Sequence, residues 1–153
     1  MKKNSKEWIE DVKFSPNNQY LAVGSHDNKI YLNNVPAFSL VKKFGVSSSS
    51  ITHIDSSQDS SVLRTNDGSY ELHYYSVPDG TQVTSGASNY RNELWATQST
   101  VLAWPMQGVW QPGQDGSDIN HADRSNGPLA NGQEVVATAN DDGLIKLYRY
   151  PSV

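Results

Sequence analysis

The sequence predicts an all-β protein made of repeated antiparallel meanders, on three observations. Three stretches share one order of features: Ile9 to Val35 (IEDVKFSPNNQYLAVGSHDNKIYLNNV), Ile51 to Val77 (ITHIDSSQDSSVLRTNDGSYELHYYSV) and Asp118 to Pro151 (DINHADRSNGPLANGQEVVATANDDGLIKLYRYP). Their apolar runs are short, rich in Val, Ile, Leu and Tyr, and bounded by turn residues, as strands are. No segment sustains a helical period of useful length.

Each repeat opens with an alternating stretch that ends in Ser or Ser-Pro, then turns through polar residues into a second run: YLAVGS, SVLRTN or VVATAN. The tripeptides HDN, NDG and DDG follow, where Asp, Asn and Gly tolerate the positive φ of a tight hairpin. A third run closes each repeat: KIYLNNV, YELHYYSV or LIKLYRY. SLVKKFG (Ser39 to Gly45) and TQVTSG (Thr81 to Gly86) are then fourth strands of the first two repeats. Each unit is thus expected to be a four-stranded antiparallel sheet.

Composition narrows the functional classes. With 153 residues the chain can bury a real core. Eight Tyr, four Trp and the β-branched runs argue against disorder. The net charge of −4 disfavours nucleic acid as a partner. No apolar run is long enough to span a bilayer, so no membrane partner is expected. The basic start MKKNSKEW lacks an apolar segment behind it and does not form a secretory signal. The absence of cysteine excludes disulfides, thiolate metal sites and Cys nucleophiles.

The hairpin aspartates set the spacing. Asp27 to Asp67 is 40 residues and Asp67 to Asp142 is 75. The first matches a WD-type propeller blade of about 40–45 residues, and the second exceeds one blade by roughly 30. The predicted organisation is one partial propeller over residues 1–153, with blades at about 8–45, 51–86 and 109–151 and an insertion at 87–117.

WIEDVKFSPNNQYLAVGSHDNKIY resembles a WD-repeat blade. More narrowly, LRTNDGSYEL, GVWQPGQDGSDIN and ADRS resemble the echinoderm microtubule-associated-protein-like family, with the likeness running from about residue 8 to 151. The resemblance implies WD-repeat β-propeller blades, association with microtubules in cytoplasm, cytoskeleton or cilia, and tubulin contacts made by the full-length protein. It also implies a buried network of hydrogen bonds around the turn aspartates Asp27, Asp67 and Asp142. This sequence departs from the family pattern at Ser56, where a Trp is usual, at Gly45–Val46, where Gly-His is usual, and at YLNNV, which lacks a closing aromatic. Backbone donors in the hairpin turn are therefore expected to serve the aspartates. Three blades fall short of the 4–8 that close a propeller, so the chain is expected to need further blades or to oligomerise.

Sites for chemistry are few. His26, His53, His73 and His121 form no pair with zinc-ligand spacing, so no metal is expected. Asp115, Asp118, Asn120 and Asp123 only faintly resemble a calcium loop, lacking its Gly and Glu in register; Asx turns explain them better. No G-x-S-x-G elbow and no phosphate-binding Gly loop is present. No catalytic residue, cofactor or enzyme activity is expected. The basic residues Lys42, Lys43, Arg64, Arg91, Arg124, Lys146 and Arg149 are dispersed, and VKK reads as protection of a sheet edge.

Tyr90, Trp95, Trp104 and Trp110 remain as the candidate protein-binding residues. Aromatics of this kind dominate interface hot spots. They equally suit the insertion's own small core, since exposed indoles invite aggregation. The expected function is a non-enzymatic protein-interaction scaffold segment of a microtubule-associated WD-repeat protein. The alternative is a WD-repeat adaptor in signalling or ciliary assembly without direct tubulin binding.

Overall fold

A computed structural model describes residues 3–153. They form ten strands in three antiparallel sheets, with two short helical turns. The chain divides into two compact units, one up to Ala96 and one from Thr97 onward. The all-β fold with repeated antiparallel sheets is the one the sequence predicts.

In the first unit, β1 (Ile9–Phe14), β2 (Tyr20–Ser25), β3 (Ile30–Asn34) and β4 (Ser39–Phe44) pair in chain order. The second sheet holds β5 (Ile51–Ser56), β6 (Val62–Asp67) and β7 (Leu72–Ser76). Side chains alternate across a strand, and the inner face of the first sheet presents Ala22, Ile30, Leu32 and Phe44. These pack on Ile51, Ile54, Leu63 and Tyr75 of the second, and all eight are buried. The sheets meet closely at Gly24, where a β-carbon would lie 2.7 Å from Ile51 Cγ2. The Asp11 carboxylate ties them further by accepting the Ile54 N–H at 2.8 Å.

The second unit contains β8 (Ile119–Arg124), β9 (Glu134–Asn140) and β10 (Ile145–Tyr150). Its core is Val101, Met106, Val109, Ile119 and Val136. Three of those come from the segment before β8, which makes a 3-10 turn at Trp104–Val109 with Pro105 in its first turn.

Two local devices recur in all three sheets. The opening strand carries a bulge at the same place: Ile9/Asp11, Ile51/His53 and Ile119/His121. A serine follows that strand, and its Oγ accepts an N–H at the start of the next: Ser15 from Tyr20, Ser57 from Val62 and Ser125 from Val135. The serine satisfies a backbone donor that the turn would otherwise leave open.

Two expectations are corrected. Only the first sheet has four strands; the others have three. The segment 81–86 pairs with β7 through a single bridge, Tyr75 to Gln82. It then bends into a short helix, α1 (Gly86–Asn89), whose first residue is pressed on the Tyr74 ring, 2.4 Å from where a β-carbon would sit. A continuing strand would have to leave that contact.

Candidate functional site: the hairpin turns and the aromatic segment

The β2–β3, β6–β7 and β9–β10 turns share one backbone frame. Ser25, Asp67 and Asn140 each donate their N–H to the carbonyl four residues on, and Asn28, Tyr70 and Gly143 each donate to the carbonyl of that same first residue. All three donors adopt positive φ: 65° at Asn28, 63° at Tyr70 and 72° at Gly143. In this frame Asp27 and Asp142 are equivalent, whereas Asp67 sits two residues earlier, level with Ser25 and Asn140. The three turn aspartates are therefore not one repeated position, and the 40-residue spacing between the first two is not the true repeat.

Their environments differ accordingly. The Asp27 Oδ2 accepts the Tyr31 hydroxyl and lies 3.4 Å from the Lys43 ammonium. Burial pushes the Asp27 carboxyl up, but Tyr31, Ser25 and Lys43 outweigh it and hold the group below the usual carboxylate range. Asp142 is exposed and receives only a long contact, 3.4 Å, from the Asn140 amide. The Asn140 Oδ1 instead accepts the Leu144 N–H at 2.9 Å.

Asp67 is the most buried of the three. Its Oδ1 accepts the backbone N–H groups of Ser69 and Glu71, both at 3.0 Å. Its Oδ2 is buried and makes no hydrogen bond, a state that ordinarily costs about 1–3 kcal/mol. Facing it are His73, with Nε2 at 3.7 Å, and beyond that Glu71, whose Oε2 is 3.3 Å from the same nitrogen. The ligand atoms of all three lie within 4.8 Å of one another. The His73 hydrogen bond, and then the Ser48 hydroxyl, hold the Glu71 carboxyl below its ordinary value. A search for paired histidines misses this mixed set. Its signal is D-x-x-x-E-x-H, which a four-residue turn folds onto one spot.

The four candidate aromatics do not form one patch. Tyr90 and Trp95 join Val62 and Tyr74 on the outer side of the second sheet, with Tyr74 5.8 Å from the Tyr90 ring and 6.1 Å from that of Trp95. Trp95 is 2% exposed and stacks under the Arg64 guanidinium at 4.1 Å. Arg64 is itself buried and pairs with Asp55, its cross-strand neighbour, at 3.1 Å. Arg64, one of the dispersed basic residues, is thus held inside the sheet packing rather than at the surface.

Trp110 packs in the core of the second unit and donates its indole N–H to the Val101 carbonyl at 3.1 Å. In the same unit the Tyr148 hydroxyl reaches the Val109 carbonyl, and the Tyr150 hydroxyl donates to the Gln98 amide oxygen at 3.0 Å. Trp104 alone of the four is well exposed, at 38%. The segment 87–117 therefore splits between the two units, packing most of its aromatics inward. The loop at Asp115 holds Asx turns: Asp115 Oδ1 accepts the N–H of Ser117 at 2.8 Å, and Asp118 Oδ2 accepts that of Asp115 at 2.6 Å.

An apolar surface that the candidate list omits lies on the far side of the first sheet. Phe14, 61% exposed, stands there opposite Leu21. A groove of about 400 Å³ runs beside Ile9, Leu21, Val23 and Phe38.

Comparison with known proteins places these features. A family model described as the echinoderm microtubule-associated protein second beta-propeller matches residues 1–153. The chain is 41% identical over 152 residues to the 77 kDa echinoderm microtubule-associated protein of Lytechinus variegatus, covering 97% of this chain and 22% of that protein. It is 42% identical over 149 residues to echinoderm microtubule-associated protein-like 2 of Homo sapiens, covering 95% of this chain and 22% of that one. The ciliary WD repeat-containing protein ctxp80 of Euplotoides octocarinatus is 36% identical over 149 residues, covering 97% and 20% respectively. The chain thus spans about a fifth of the length of these relatives. With three bulged, serine-closed antiparallel sheets and a family model that matches from end to end, the chain belongs to the echinoderm microtubule-associated protein family, within its second β-propeller.

Proposed function

We propose that this chain is a non-enzymatic protein-interaction segment of a larger microtubule-associated scaffold in the cytoplasm, at cytoskeletal or ciliary microtubules. The observation that carries the reading is the apolar outward face of the first sheet, where Ile9, Leu21, Val23 and Phe38 line a groove and exposed Phe14 stands opposite Leu21. Apolar faces of this kind mark protein-docking sites, and the occupant of this one is a further sheet of the same repeat type. The names of the relatives, microtubule-associated or ciliary, support the cellular setting.

Contact with tubulin belongs to the full-length protein. Tubulin surfaces are acidic and this chain carries −4, so long-range electrostatics oppose direct binding. The same charge favours a second reading, an adaptor in signalling or ciliary assembly that never touches tubulin. Co-sedimentation with microtubules separates the cases. The isolated chain is expected to pellet at background level at every salt concentration, whereas the full-length protein pellets. Tight, salt-sensitive pelleting of the isolated chain refutes the indirect reading, and a soluble full-length protein favours the adaptor.

A further inference from the structure

We propose that Asp67, Glu71 and His73 form a binding site for a single divalent transition-metal cation of the zinc class. The first argument is geometric. Tetrahedral zinc with bonds of about 2.0–2.2 Å sets its ligand atoms roughly 3.3–3.5 Å apart. His73 Nε2 lies 3.3 Å from Glu71 Oε2 and 3.7 Å from Asp67 Oδ2.

The second argument is the unpartnered oxygen. The Asp67 side chain is 0% exposed, and its Oδ1 is fixed by two turn amides. The Oδ2 is thereby held toward His73 without a hydrogen bond of its own. A ligand locked by its supporting shell in this way is preorganised for a cation. The imidazole is positioned from behind as well. Its Nδ1 lies 3.4 Å from the Gln82 amide nitrogen. Oxygen and nitrogen of that amide exchange by a half-turn, so Gln82 can accept the Nδ1 proton and leave the Nε2 lone pair to the metal.

The third argument comes from the repeats. The positions of Asp67, Glu71 and His73 are occupied by Ser25, Lys29 and Tyr31 in the first turn and by Asn140, Leu144 and Lys146 in the third. The hairpin forms in all three. The fold therefore does not require the two carboxylates and the imidazole that the second turn brings together. One nitrogen and two carboxylate oxygens suit zinc, cobalt or nickel over magnesium or calcium, which favour all-oxygen sites.

The test is titration of the full 153-residue chain with Zn²⁺ by calorimetry and with Co²⁺ by visible absorption. One equivalent is expected to bind, undisturbed by millimolar Mg²⁺ or Ca²⁺. His73→Gln is expected to weaken binding by more than about a hundredfold, beyond the 10–100-fold effect of losing an outer-shell partner. Glu71 is exposed, so Glu71→Gln keeps the fold and is expected to weaken binding by at least tenfold; circular dichroism checks both variants. His26→Gln, at the Glu10 contact in the β2–β3 turn, removes an imidazole that is not one of the three ligands; it is the control and leaves binding intact. No uptake of either metal overturns the proposal. So does uptake that is unchanged in His73→Gln and Glu71→Gln, or that falls as much in His26→Gln.

Discussion

Breaking the Asp55–Arg64 pair should be among the most damaging single changes in the first unit. The side chains are 0% and 1% exposed, and the guanidinium also covers the Trp95 ring. Arg64→Met removes the cation and strands a carboxylate away from water, which costs about 3–5 kcal/mol when a buried pair loses one member. The lost stacking on the indole adds roughly 1 kcal/mol. Against a typical domain stability of about 5–15 kcal/mol, the variant is close to unfolded. Asp55→Leu should fall in the same range, since it removes the carboxylate that faces the buried guanidinium. The double variant Arg64→Met/Asp55→Leu strands neither charge, and well-packed apolar replacement of a buried pair is often neutral. The coupling in a double-mutant cycle should therefore be at least about 2 kcal/mol. Urea unfolding followed by tryptophan fluorescence measures it, with Trp95 as a local reporter. Additive single effects, or singles below about 1 kcal/mol as for an exposed pair, refute the reasoning.

Three further outcomes are expected. Gly24→Ala puts a methyl 2.7 Å from Ile51 Cγ2 and 3.1 Å from Ile54 Cδ1; overpacking should cost about 1–3 kcal/mol in a thermal melt, with partial relief from Ile51→Val. Trp95→Ala should lose about 3–5 kcal/mol, as a buried aromatic does, whereas Trp104→Ala, at 38% exposure, should stay below about 1 kcal/mol; equal losses in chemical denaturation contradict the burial assignment. Asp27 has a folded-state pKa below its unfolded one, so its contribution is present above the unfolded value of about 3.9 and is lost as pH falls through the folded value. Tyr31→Phe removes the hydroxyl that Asp27 accepts and brings its folded pKa back toward the unfolded one, so the fall of the urea midpoint with acid should be smaller than in the unaltered chain.

The strands were readable because their alternation and bounding turn residues are local properties. Ser39 to Gly45 reads as a fourth strand and is one; Thr81 to Gly86 reads alike and is not, because a contact with Tyr74 decides it. The serine closing each first strand was visible as a repeated letter, while its role as an acceptor needed the turn geometry. That Arg64 is buried is not legible in the sequence, because sequence position does not reveal burial. Its clue is long-range: Asp55 stands opposite it once the hairpin register is set. Tyr90, Trp95, Trp104 and Trp110 are visible in the sequence as candidates, yet which unit each one packs in depends on where the chain passes from one unit to the next. The Asp67–Glu71–His73 set is hidden in the sequence because the letters match Asp67 to Asp27 and Asp142, whereas the turn hydrogen bonds match it to Ser25 and Asn140.

The bond from Ile54 N–H to Asp11 makes one amide a reporter of tertiary docking. Ile54 lies on the outermost strand of its own sheet, where an amide facing away from β6 would meet solvent and exchange quickly. Here its protection depends on a carboxylate from a different sheet. Hydrogen exchange at this single position therefore times the separation of the two sheets, and distinguishes it from fraying of either sheet alone.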